Sequence, residues 1–330
     1  MKRIKVVSHL AALGLIAISP AGLAQVLFTE SFYVDPTANW TVNILGVGLS
    51  DANFHFDYSS VGIPSAPHSG GTTRGLRLRA NQYGGATAAF PSGVSVSQTG
   101  ASFAGDYRVQ FDLWQNYNGR LDGGGSGSTQ ITGAGLGTAG SSAQVAGHGT
   151  VDSIFFGTSG DGGSSVDYRA YSPSTTAGYT AASGVFAAGT GTSPDARNNS
   201  HPYYAVWGGS LAPAAQVSLY PQQTNATAVG AQGFAWRDVV IEKSGGFVTY
   251  SIDGTLIAKV DLSAAGTLGG GNILFNHFDI NASISADPNS PALLFGVVDN
   301  VVVTVVPEPA VGALALLGGL ALYFARRVRK

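Results

Sequence analysis

Over short stretches of this chain, apolar and polar residues alternate one by one. Trp40-Thr41-Val42-Asn43-Ile44 does so, as do Phe54-His55-Phe56-Asp57-Tyr58 and Gly75-Leu76-Arg77-Leu78-Arg79-Ala80. Successive side chains of a strand point to opposite faces, so the pattern predicts half-buried strands. In the third stretch Arg77 and Arg79 share the polar face. The opening stretch, 25–33, sets Val26, Phe28 and Phe32 around Thr29, Glu30 and Ser31. Residues 103–114 hold the clearest central strand, with Tyr107, Val109, Phe111 and Leu113 directed together into a core. After Ala235 comes a strand led by Trp236, a Ser244-Gly245-Gly246 turn, a strand over 247–252, an Asp253-Gly254 turn and a strand over 255–260. Asp-Gly is a preferred two-residue hairpin turn, because both central residues need positive φ. Further strands are predicted over 151–157, 166–171, 184–187, 272–278 and 293–306. Few segments carry a helical period, and no repeat of 20–50 residues appears. Strands of five to eight residues between Gly, Pro and Asp turns predict an all-β antiparallel sandwich.

Residues 119–163 break this pattern. Fifteen of these 45 residues are Gly, with Ser and Thr between them, a composition that predicts flexible loops. Within them, Gly135-Leu136-Gly137-Thr138-Ala139-Gly140 matches a dinucleotide-binding spacing, with Asp161 further on. That chemistry needs a strand before the glycines and a helix N-terminus after them to meet the pyrophosphate. Neither is predicted here, so no nucleotide site is assigned.

The two ends of the chain are of another kind. Lys2, Arg3 and Lys5 precede an apolar stretch over 6–18, Pro20 breaks it, and Gly22-Leu23-Ala24 supplies small residues. This order predicts a secretory signal peptide over 1–24, cut between Ala24 and Gln25. At the other end, Pro307-Glu308-Pro309 precedes an apolar run over 310–324, and Arg326, Arg327, Arg329 and Lys330 follow it. As a helix the run rises about 22 Å, a short transmembrane span. Positive charge resists translocation, so the four cations are expected to stay cytoplasmic with the body outside. A plain C-terminal anchor would have the same order. Pro-Glu-Pro, one hydrophobic segment and a terminal Arg cluster together resemble the sorting tail of PEP-CTERM proteins. The resemblance covers 307–330 and implies exosortase as a processing partner, a cut near Pro307–Pro309, transient residence in the inner membrane, and delivery to the cell surface or outside the cell. It also implies association with exopolysaccharide.

Residues 234–262 resemble laminin-G and concanavalin-like lectin sandwiches, in which a Trp-led strand enters a meander of this form. The resemblance implies a jelly roll over 25–306, with the valine-rich stretch 297–303 as a closing strand beside the first one.

Charge and composition narrow the chemistry. Setting aside the terminal segments leaves ten cations against 18 acids, a body charge of about −8, which speaks against nucleic acid. There is no cysteine, so thiol catalysis and disulfide bracing are excluded. The histidines are scattered, without metal-ligand or triad spacing. Asp152, Asp161 and Asp167 in Gly-rich loops present the hard oxygen ligands that calcium takes, and turn chemistry accounts for them equally. Tyr203, Tyr204 and Trp207 are candidates for stacking on sugar; core packing is the other use of such rings. A glycan hydrolase would need two carboxylates facing each other across a sugar; the body holds only Glu30 and Glu242 besides its Asp residues, and no Glu-x-Asp-x-Glu strand. The expectation is therefore an exported, non-catalytic, polysaccharide-associated or adhesion protein. A secreted sandwich hydrolase and a purely structural surface protein are the alternatives.

Overall fold

The structure is a computed structural model of the chain. It describes residues 24–46, 50–81, 92–117, 129–146, 151–173 apart from 163 and 165, 197–281 apart from 225, and 288–307, with the backbone of 185–187. The apolar N-terminal stretch and the tail residues Glu308, Pro309, Arg326, Arg327, Arg329 and Lys330 lie outside the described residues. Among the described residues, no helix is long and apolar enough to cross a membrane.

Two antiparallel sheets pack face to face as a jelly-roll-like sandwich. The first contains β1 (Val26–Glu30), β3 (Asp51–Asp57), β4 (Arg74–Arg79), β6 (Tyr107–Asn116), β10 (Val185–Ala187), β11 (Arg237–Ser244), β12 (Phe247–Ile252), β13 (Thr255–Asp261) and β15 (Phe295–Val305). Its order is β10-β13-β12-β11-β6-β15-β4-β3, with β1 paired beside the second half of β15. The second sheet runs β2-β5-β14-β7-β8-β9, from β2 (Trp40–Leu45), β5 (Ser92–Gln98), β14 (Asn272–Asp279), β7 (Gln130–Thr138), β8 (Ile154–Thr158) and β9 (Tyr168–Tyr171). Two short helices, α1 (Ala214–Leu219) and α2 (Ser290–Leu293), lie between strands.

The predicted alternation places the core. Tyr107, Val109, Phe111 and Leu113 on β6 are buried together between the sheets. There Phe111 meets Phe275 of β14 edge-on, with ring centres 5.0 Å apart, and Tyr250 of β12 stacks on Phe156 of β8 at 4.9 Å. Both hairpins fall where their turns predict: Ser244 pairs with Phe247, and Ile252 with Thr255. Asp253 and Gly254 have φ of 49° and 75°, the twist that a two-residue hairpin turn needs. The closing strand β15 lies beside β1, as the resemblance implied.

The Gly-rich stretch differs from its expectation. Residues 130–138 are not a flexible loop but β7, buried along its whole length in the middle of the second sheet. Its glycines are required by close approach. A Cβ on Gly133 would enter the Phe156 carbonyl of β8 and come within 2.7 Å of Asn276 Oδ1. One on Gly135 would enter the Ile154 carbonyl and come within 2.5 Å of Phe155 Cβ. Of the dinucleotide-like spacing, Gly135 is thus set by strand packing, while Gly137 and Gly140 take left-handed backbone with φ of 87° and 76°. Composition misled here because a loop and a strand pressed against its neighbour both select Gly. Strand β5, with the sequence Ser92-Gly93-Val94-Ser95-Val96, is a further element that the sequence reading did not assign.

Both outer faces are partly covered as well. On the second sheet, Ile131, Phe155, Leu274 and Phe278 pack with Val145 and Tyr171. On the first, Trp114, Phe295 and Val297 pack beneath Tyr58, Val61 and Ile63, which belong to segment 58–73 folded over the sheet between β3 and β4.

Candidate functional site

Strand register brings together three carboxylates that lie far apart in sequence. Asp238 of β11 pairs with Asp112 of β6, and Asp112 pairs with Asp299 of β15. Phe111 and Leu113 face the inter-sheet core, so Asp112 and its two cross-strand neighbours occupy the outer face of the first sheet. Directly opposed residues have Cβ atoms ~4.5–5.5 Å apart, where like charges repel.

The surroundings of the row offset that repulsion. The ladder between β15 and β6 skips from Asp299 to Val302, and Asn300 adopts a φ of 53°, a bulge that re-aims side chains. Asn300 Nδ2 then donates to Asp112 Oδ2 at 2.8 Å, and its backbone N–H donates to Asp299 Oδ1 at 2.7 Å. Segment 58–73 supplies further partners. His68 meets Asp112 twice, through Nδ1 to Oδ1 at 2.8 Å and through its backbone N–H to Oδ2 at 3.1 Å. The Tyr58 hydroxyl lies 3.0 Å from Asp299 Oδ2. Gln110 Nε2 donates to Asp238 Oδ1 at 2.7 Å. The segment is held further along by Trp236, which donates from Nε1 to the Pro64 carbonyl at 2.8 Å and sits edge-on to Tyr58 with ring centres 5.2 Å apart.

Electrostatically the row is asymmetric. Burial pushes the Asp299 carboxyl up to about 7, and the neighbouring Asp112 charge adds to the rise. The hydrogen bond and charge of Asp112 hold the His68 imidazole above its ordinary value. A carboxyl raised by burial with a second carboxyl beside it is an arrangement that general acid–base chemistry uses. Here, however, all four oxygens of Asp112 and Asp299 already have protein hydrogen-bond partners, both residues are fully buried, and segment 58–73 lies over them. What the arrangement does in this structure is fasten that segment to the sheet. The signal for it is present in the sequence: Asp299-Asn300 interrupts a run of valines, and Asp112 shares its strand phase with Gln110.

The aromatic candidates do come together, at the end of the sandwich near the β12–β13 turn. Tyr203 and Tyr204 lie in a single 3₁₀ turn, Pro202–Tyr204. Tyr204 and Trp207 do not present open ring faces: Tyr204 stacks on Tyr168 with centres 3.9 Å apart, and both rings are buried. Trp207 Nε1 donates to Asp253 Oδ2 at 2.9 Å, which also accepts from Arg237 at 3.1 Å. Three flat rings stacked on each other bury more apolar area than exposure would allow. Tyr203 is half-buried; its hydroxyl donates to the Leu256 carbonyl at 2.8 Å, near exposed Val206 and Leu256.

The calcium candidates do not converge. Asp152 precedes β8 and accepts from Thr138 Oγ1 at 2.8 Å and Ala139 N–H at 3.0 Å. Asp161 and Asp167 lie beyond the other end of that strand. Asp167 accepts from Ser159 Oγ at 2.6 Å and Asn199 N–H at 2.8 Å, with its carboxyl pushed up by burial. Among the described residues, no group of three His, Asp or Glu side chains could hold a metal.

No known family model matches the chain, and no curated protein matches it in sequence. Solved structures similar to it include endo-1,3-beta-glucanase from Streptomyces sioyaensis, at 13% identity and a TM-score of 0.43, covering 88% of this chain and 100% of that one. A Bacillus subtilis protein of unknown function with a galectin-like fold is 8% identical, with a TM-score of 0.41, over 86% of this chain and 98% of that one. The exoplasmic/lumenal domain of VIP36 is 8% identical, with a TM-score of 0.40, over 84% and 88% respectively.

Proposed function

We propose that this chain is an exported bacterial surface or extracellular-matrix protein, processed by exosortase near Pro307–Pro309, whose sandwich is a non-catalytic polysaccharide-associated or adhesion component. The observation that carries it is how the first and last described strands are tied into the sandwich. Val305 N–H donates to the Gln25 carbonyl at 2.8 Å and Val306 N–H to the Asp106 carbonyl at 3.1 Å. Pro307, which has no N–H to donate, is exposed. A signal cut before Gln25 and a tail cut at Pro307–Pro309 would thus release the sandwich with its described strands intact. Contact with sugar is assigned to the surface around Tyr203, Val206 and Leu256, since Tyr204 and Trp207 are enclosed.

The test is intact mass and fractionation of the protein from its host, with and without exosortase. A species ending near Pro307–Pro309, which leaves the inner membrane only when exosortase is present, is the expected result. A species that keeps Lys330 and stays in the inner membrane either way refutes the sorting reading. A glycan screen of the mature body follows, in which Tyr203→Ala should weaken whatever binding the body shows.

The hydrolase reading has one observation in its favour, the cross-strand carboxyl pair Asp299 and Asp112. It requires segment 58–73 to leave the face it covers. Cleavage of polysaccharide by the mature body, abolished in Asp112→Asn, would establish it.

A further inference from the structure

Tyr58 carries one hydroxyl proton but faces two acceptors. The Thr72 carbonyl lies 2.9 Å from its oxygen and Asp299 Oδ2 lies 3.0 Å away, while Ala66 N–H donates to the same oxygen at 3.2 Å. A phenol donates once. If Asp299 were ionised, one of those two close pairs would be acceptor against acceptor. If Asp299 is protonated, its Oδ2–H donates to Tyr58, and Tyr58 donates onward to Thr72, so that every contact has its proton.

We infer that Asp299 is the protonated donor of a latch that clamps segment 58–73 onto the outer face of the first sheet, and that loss of this proton as the pH rises loosens the segment. The groups around it act in one direction. Asp112 on β6 is its cross-strand neighbour, with Asp238 of β11 beyond. On β1, Glu30 adds a further negative charge. On β4, Arg74 and Arg77 face Asp57 and Asp51 instead. An ionised Asp299 therefore meets acids on both flanks. His68 strengthens the effect. When protonated it pairs with Asp112, and that ion pair also fades as the pH rises. The latch is closed in acid and loosens towards alkaline pH. What it uncovers is the pair Trp114 and Trp236, whose rings lie 5.6 Å apart.

The experiment follows tryptophan emission and amide hydrogen exchange of residues 58–73 in the full chain from about pH 5 to about pH 9, with exchange corrected for its intrinsic pH dependence. The expected result is a red shift with a midpoint near neutrality and at least a tenfold loss of protection in 58–73, while the β6 amides stay protected. Asp299→Asn keeps a neutral donor in place, and the segment should then remain protected throughout. Trp236→Phe should diminish the optical change, leaving Trp114 to report, and keep a pH-dependent exchange change. Unchanged emission and exchange in the wild type, or a wild-type transition persisting in Asp299→Asn, overturns the inference. Should that variant fail to fold, infrared difference spectra of the wild type decide: a protonated carboxyl band that disappears near neutrality is expected, and its absence overturns the proposal.

Discussion

The substitution Gly133→Ala separates two descriptions of the same stretch by sign. In a flexible Gly-rich loop, Ala in place of Gly reduces the entropy of the unfolded chain and stabilises by about 0.4–1 kcal/mol. In β7 the added methyl has no space. It would overlap the Phe156 backbone carbonyl and press on Asn276 Oδ1 at 2.7 Å. The first of these is main chain, paired across the ladder between β7 and β8, and cannot swing aside as a side-chain tip would. Overpacking of this kind costs about 1–3 kcal/mol, and obstruction by backbone places it near 3 kcal/mol. For a body of this size that corresponds to a fall in Tm of roughly 6–12 °C. Gly208→Ala is the matched control, since a Cβ there meets nothing within 4 Å, and it should leave Tm unchanged or raised. Calorimetry of both variants decides the matter. A Gly133→Ala protein as stable as the Gly208→Ala protein would refute the close packing of β7 against β8.

Three further expectations rest on the same fold. Asp253→Ala removes the acceptor for Trp207 Nε1, Arg237 and the Asp238 N–H and places Ala at a φ of 49°; urea unfolding should show a loss of about 2–4 kcal/mol, with Asp253→Asn losing less. Burial lowers His277 to about 3 and raises Asp279 to about 6. A depressed histidine contributes stability that is present above its unfolded value of about 6.5 and lost as the pH falls. A raised carboxyl works in reverse, so stability is lost as the pH rises from about 4 through its folded value. Asp279 and Asp299 thus oppose His277 between about pH 4 and pH 6.5, and in His277→Gln the decline of unfolding free energy with rising pH should steepen there by up to ~1.4 kcal/mol per pH unit; an unchanged slope contradicts a buried neutral His277. Because Asp152, Asp161 and Asp167 do not converge, millimolar calcium should shift Tm by less than about 1 °C relative to chelator; a larger rise would mean that a site forms.

The all-β class, most strand positions and both tight hairpin turns were legible in the chain because they are local. Alternation along Tyr107 to Leu113 reports which side chains share a face, and Gly245-Gly246 and Asp253-Gly254 report where positive φ is tolerated. The terminal segments are likewise matters of charge and apolar run, and the sorting proposal rests on them. Tertiary structure decided the meaning of residues whose neighbours are remote in sequence. Whether Gly133 is loose or compressed depends on Phe156 and Asn276. Whether Trp207 faces a ligand or the core depends on Tyr168 and Asp253. The carboxylate row exists only because cross-strand register sets Asp112 beside both Asp238 and Asp299, and the charge state of Asp299 follows from the burial and the single Tyr58 proton found there. Local sequence specifies backbone conformation and facing; long-range pairing specifies dielectric, charge neighbours and free space, and these determine what a polar side chain can do.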